Sequence, residues 1–217
     1  VQSSLCSNCG HSLQIASNYC NRCGLEVAKP MQCLLQVPRV VILTLLSGGL
    51  YIFWWFYITW KHYRDHTGEK AYPVWHALAA IVPFYNLFRV HAHIRTYSEL
   101  MDKHHLPNSL NPFKSAVVFG ISTFLANIGL RQSIFGEVSQ NSAIVILGGL
   151  IVSMMLVLWL LASVQSNLNR YWQSVLFEKS PSYARIGIGE VLITLGGVYN
   201  WYDTIMLALS ESYRVDW

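Results

Sequence analysis

The chain alternates long uncharged apolar runs with short polar and basic segments. Residues 40–60, VVILTLLSGGLYIFWWFYITW, hold no Asp, Glu, Lys or Arg. A helix of about 20 such residues crosses a bilayer, so the pattern predicts a first span there. Residues 71–88 form a shorter uncharged window containing Pro83, which predicts a kinked second span near 74–92. The amphipathic stretch RVHAHIRTYSELM follows and reads as the same helix running out into water. A third span is predicted near 115–135, with Arg131 able to snorkel toward the interface. Residues 138–169 carry no charge over 32 positions and contain a fourth span near 143–164, whose helix continues through Asn167–Phe177. The fifth, near 186–209, contains Glu190 and Asp203. It can span only if those carboxyls face protein or water.

The pattern therefore predicts an all-α integral membrane protein of about five transmembrane helices, residues 37–217, behind a small N-terminal module (1–28) and a linker (29–36). Composition agrees. Of 217 residues, 53% are hydrophobic and only 12% are charged, against about 25% charged in soluble domains. This rules out a disordered chain and argues against an ordinary soluble domain.

The first run leaves two readings open. Its length suits a span. Gly48 and Gly49 sit in its middle, and a break there would make it re-entrant and return the basic segment Lys61–Tyr72 to the side it came from. With five spans and the N-terminus inside, ten of the fifteen Lys and Arg lie inside. Lys61, Arg64, Lys70, Arg131 and Arg214 lie outside. That bias toward the cytosol follows the positive-inside rule, with Lys61–Tyr72 as the dissenting loop.

The N-terminal module has two identical spacings, Cys6-Ser-Asn-Cys9-Gly10 and Cys20-Asn-Arg-Cys23-Gly24. Two residues between cysteines let both sulfurs point at one tetrahedral ion, and the glycine after each pair suits a tight left-handed knuckle. Four thiolates make a closed structural site, and the expected cofactor is one Zn2+ held by Cys6, Cys9, Cys20 and Cys23. Two disulfides are the competing reading. So short a module cannot build a core without help, so metal would supply much of its folding free energy. Cys33 stands apart as a small residue near the membrane edge, with lipidation as its functional alternative. Residues 1–28 carry Arg22 against Glu26, and so lack the basic surface that nucleic acid requires. The first apolar run begins only near residue 37, after the module, which argues against a signal peptide and for a reducing, cytosolic N-terminus.

An internal echo links Ser47-Gly-Gly-Leu-Tyr-Ile-Phe-Trp-Trp to Leu195-Gly-Gly-Val-Tyr-Asn-Trp-Tyr. The C-x-x-C-G…Y-C-x-x-C-G ribbon, the Gly-Gly-x-Tyr-x-x-Trp-Trp first run and the F-Y-N-L-F-R-V end of the second resemble the uncharacterised prokaryotic multispanning membrane proteins that join an N-terminal zinc ribbon to a small aromatic-rich membrane domain of unknown function. The resemblance implies a prokaryotic cytoplasmic membrane and this architecture. It implies no chemistry.

No nucleophile elbow or P-loop appears. Glu190 and Asp203 form a candidate intramembrane polar site. His91 and His93 are of a type that ligates haem or chlorophyll magnesium, but they lie about 200° apart on a helix and share no ligand face. Tyr51, Trp54, Trp55, Tyr57 and Trp60 read as an interfacial aromatic belt. The expected function is a non-catalytic accessory or scaffold subunit of a larger membrane complex. Its expected partners are other membrane subunits and lipids, not nucleic acid. The alternatives are a small transporter or channel using Glu190 and Asp203, and a haem- or pigment-binding subunit using His91 or His93.

Overall fold

The computed structural model describes residues 6, 8–12, 19–24, 32–135, 140–176 and 182–209, with side chains for all of these except 129–135, 140–144, 200 and 203–209. Its secondary structure is helical: α1 (Val37–Leu46), α2 (Tyr51–Thr67), α3 (Pro73–Ala79), α4 (Tyr85–Lys103), α5 (Pro112–Phe135), α6 (Gln140–Val175) and α7 (Ile188–Leu209). Apart from these, Leu34 and Tyr183 form an isolated parallel β-bridge.

The first apolar run is not one helix. It breaks at Gly48 and Gly49, which have φ of 59° and 93°, a left-handed backbone that glycine adopts at no steric cost. α2 then runs back along α1. Arg39, early in α1, meets Glu190 at the start of α7, and Leu45 accepts a hydrogen bond from Trp201 Nε1 at 3.1 Å, so α1 and α7 run in the same direction. Trp54, one turn into α2, lies back at the α7 entrance, its ring against Gly187 and Gly189. α1 and α2 are therefore a helical hairpin.

The second run repeats the device. In place of a kink it has a full break at 80–84, with Phe84 at φ 62°. Pro83 has no backbone N–H to continue the α3 ladder. Beyond the break, α4 returns alongside α2. His76 of α3 stacks on Trp60 of α2 with ring centroids 4.0 Å apart, Arg89 of α4 hydrogen-bonds the same His76, and Tyr97 donates to the Thr59 carbonyl at 2.8 Å. The predicted polar tail is helical as expected, since α4 continues to Lys103.

α5 and α6 form the longest pair. The hydroxyls of Ser122 and Ser153 lie 3.0 Å apart across their interface, and each also donates to the other's carbonyl. Small hydroxyl residues at such a contact let two helices approach closely and pair their polar groups. α6 has 36 residues, about 54 Å at 1.5 Å per residue. Among the described residues it is the one helix both long and apolar enough to cross a membrane. α1, residues 112–128 and residues 188–199 are apolar but shorter.

The Gly-Gly echo is not a structural repeat. Gly196 and Gly197 lie inside the unbroken α7, and a Cβ at Gly197 would meet the Ser47 backbone at 2.1 Å. One Gly-Gly pair turns the chain, and the other makes room for that turn.

Candidate metal centre and buried polar network

The two cysteine knuckles fold alike. Gly10 N–H donates to the Cys6 carbonyl and Gly24 N–H to the Cys20 carbonyl, each at 2.9 Å. The two glycines have φ of 67° and 71°. Each tight turn aims two sulfurs the same way, and the Sγ atoms of Cys6, Cys9, Cys20 and Cys23 all lie within 4.8 Å of one another. Cys6 to Cys23 and Cys9 to Cys20 are both 3.6 Å, far beyond the roughly 2.05 Å of a disulfide. A tetrahedron of sulfurs about 2.3 Å from zinc has edges near 3.8 Å, so the four ligands fit one such ion. The Cys20 thiol is held below its usual range by the backbone N–H groups of Arg22 and Cys23. The His11 backbone favours the Cys9 thiolate, but desolvation and the three neighbouring sulfurs push that thiol up to about 12. One cation at the centre would relieve this crowding of thiolates.

Cys33 is buried in the core with Leu34 and Leu35, and burial pushes its thiol up to about 12. That protonated, enclosed sulfur fits the packing role rather than lipidation. Leu35, beside it, is clamped by Asn169 of α6, which accepts from the Leu35 N–H at 3.2 Å and donates to its carbonyl at 2.7 Å.

Glu190 is 2% exposed and fully engaged. Arg39 pairs with both of its oxygens, Tyr51 Oη donates to Oε1 at 2.8 Å, and the Gly187 N–H donates to Oε2 at 2.9 Å. The last contact is half of a capping box, with a Glu in the first turn reaching back to the residue before the helix. Arg39 also donates to the carbonyls of Ala184 and Arg185. The carboxylate thus ties α1, α2 and α7 together at one end, with no vacant coordination for a transported cation. The side chain of Asp203 lies outside the described residues. Asn127 of α5 donates to the Thr123 carbonyl within its own helix.

The histidines sit among aromatic rings. His93 is fully buried, with centroids 5.2 Å from Trp55, 4.8 Å from Phe56, 5.3 Å from Trp60 and 5.1 Å from Tyr97. Thr59 Oγ1 lies 3.4 Å from its Nε2. A haem or chlorophyll ring has no room there, and the half-buried His91 is on another face of α4. Trp55 Nε1 donates to Gln165 at 2.7 Å, and His66 meets the Tyr171 hydroxyl at 3.0 Å. The expected belt is therefore not a belt. Tyr51, Trp55 and Trp60 are core residues. Exposed aromatics lie elsewhere, among them Trp75, Phe84, Phe88, Phe113, Trp159 and Tyr199. In sequence the two sets look alike, because a run apolar on all faces does not say which face is covered.

No protein-family model, curated protein or solved structure matches the chain.

Proposed function

We propose that this chain is a non-catalytic accessory or scaffold subunit of a membrane protein complex, carrying a structural zinc ribbon on its cytosolic side. The observation that carries the reading is the split between the two ends of the helical domain. At one end, Tyr97, Met101, Leu168, Tyr171 and Trp172 are packed out of contact with solvent. At the other, Phe84 is 82% exposed, Val145 74% and Leu147 60%. Water does not tolerate so extensive an apolar surface on a monomer, whereas hydrocarbon does.

In this reading α5, α6 and α7 enter the bilayer deeply. The α1–α2 and α3–α4 hairpins dip in and return. Ten residues of α1 reach about 15 Å, half of a hydrocarbon core about 30 Å thick. Leu46 and Leu50 flank the first turn, and Ile81, Val82 and Phe84 form the second. The charge pattern supports this arrangement over five spans. Lys61, Arg64 and Lys70 now fall on the side of the ribbon, which leaves only Arg131 and Arg214 among fifteen basic residues on the far side.

Catalysis finds no support at the cavity among α2, α4, α5 and α6. Its walls, including Ile52, Val90, Phe119 and Leu161, are all apolar. The saturated Glu190 favours the scaffold reading over the transporter one. The test is extraction of membranes with alkaline carbonate, then purification in mild detergent with identification of what accompanies the chain. We expect the chain to stay in the membrane pellet and to come down with partner proteins in fixed ratio. A lone, monodisperse monomer would contradict the subunit role.

A further inference from the structure

Four buried side-chain atoms among the described residues lack a hydrogen-bond partner: Trp60 Nε1, Asn86 Oδ1, Arg89 Nε and His93 Nδ1. Buried polar groups are almost always paired, so each orphan asks what it is waiting for. These four are not scattered. Residues 86, 89 and 93 follow i, i+3, i+7 spacing and line one face of α4. Trp60 lies against that face from α2, its ring 5.3 Å from His93 and stacked on His76, which Arg89 hydrogen-bonds. Arg89 has no carboxylate within ion-pair reach among the described residues. A guanidinium and an indole N–H beside it are donors that seek an anion. The amide oxygen of Asn86 is an acceptor that a hydroxyl on the same ligand would satisfy.

We propose that this α2–α3–α4 cluster binds the phosphate of an anionic phospholipid with a hydroxyl-bearing headgroup, with Arg89 and Trp60 donating to the phosphate oxygens once the surrounding side chains part to admit it. Guanidinium is suited to phosphate by its planar set of donors. The chain neighbours of the site residues supply what an acyl chain needs, since Trp75 and Phe88 are each 70% exposed. A guanidinium flanked by exposed aromatic side chains suits a headgroup at the cytosolic interface.

This rests on the membrane reading above, whose own failure would show separately as a chain that stays in solution without detergent. The test uses the full chain in mild detergent and follows its thermal unfolding midpoint with three probes: dioctanoyl phosphatidylglycerol, dioctanoylglycerol and inorganic phosphate. The phospholipid is expected to raise the midpoint, and the other two to leave it unchanged. Arg89→Gln should weaken the apparent affinity about tenfold or more, as loss of a charged hydrogen bond does, and Arg89→Lys should restore part of it. Trp60→Phe keeps the ring stack and removes the N–H. It should weaken binding more modestly, and it decides the matter if Arg89→Gln fails to fold. Equal shifts from the phospholipid and from dioctanoylglycerol would overturn the proposal. So would equal shifts from inorganic phosphate, which would mark a free-anion site, or undiminished lipid binding in both Arg89→Gln and Trp60→Phe.

Discussion

Cys20→Ser is expected to reduce bound zinc from about one ion per chain to almost none, because a closed tetrathiolate site has no spare ligand to recruit. The purified protein should carry one zinc by elemental analysis, and Cys6→Ser, Cys9→Ser or Cys23→Ser should each have the same effect. The ribbon should become protease-sensitive while the helices remain. Its knuckles are held by few backbone bonds, Gly10 to Cys6 and Cys6 to His11 in the first and Gly24 to Cys20 in the second, and a segment this short would draw its folding free energy mainly from the metal. Acid should act as the substitution does. Bound thiolates are deprotonated, so zinc is retained at neutral pH and lost as falling pH returns protons to sulfur. A Cys20→Ser protein that kept stoichiometric zinc would place the metal elsewhere.

The second large effect concerns the carboxylate that joins three helices. Glu190→Ala should destabilise the helical domain by about 3–5 kcal/mol, the usual cost of leaving the partner of a buried ion pair unpaired. Arg39 is only 13% exposed and would lose its counter-ion, while the Tyr51 hydroxyl and the Gly187 N–H would each lose an acceptor. Tyr51→Phe removes one neutral donor from the same carboxylate and should cost about 1 kcal/mol. Replacing both charges, Arg39→Met with Glu190→Met, should recover much of the loss of the single change, since apolar replacement of a whole buried pair is often neutral. Unfolding of the detergent-solubilised variants by heat measures all three. Equal stability of Glu190→Ala and the parent would show that the carboxylate is not a structural tie.

The same residues show where sequence reasoning succeeds and where it stops. The cysteine spacing carries almost the whole of the candidate metal site, because a knuckle is a local structure and its geometry is written within five residues. The helical class and the polar extensions of α4 and α6 were also legible, being periodic and long. The hairpins were only half legible. Gly48 and Gly49 signalled a possible break, but a run of apolar residues looks the same whether it crosses a bilayer or folds back within it. The deciding contacts, Trp54 on Gly189 and Ser47 on Gly197, join residues more than 130 positions apart.

Glu190 stands out in the sequence because an acid in an apolar run is costly, but its partners Arg39 and Tyr51 lie more than 130 positions away and do not. The clue to its role was its place three residues after Gly187, at a helix start. The aromatic cluster around His93 was not legible at all. Its members come from α2 and α4, and burial rather than residue type separates Trp55 and Trp60 from the exposed Trp75.

The most direct test of the whole account is the side of the membrane on which the α2–α3 connection lies. Gly68 is exposed there, capping α2 in a left-handed conformation, and an insertion just after it falls in a solvent-facing connection, the kind of place where insertions are tolerated. A protease site inserted at Gly68 should be cut in inside-out membrane vesicles and protected in sealed right-side-out ones, as a site placed next to the ribbon would be. Cleavage at Gly68 from the opposite face to the ribbon would mean that the first apolar run crosses the bilayer, and the paired-hairpin architecture would be wrong.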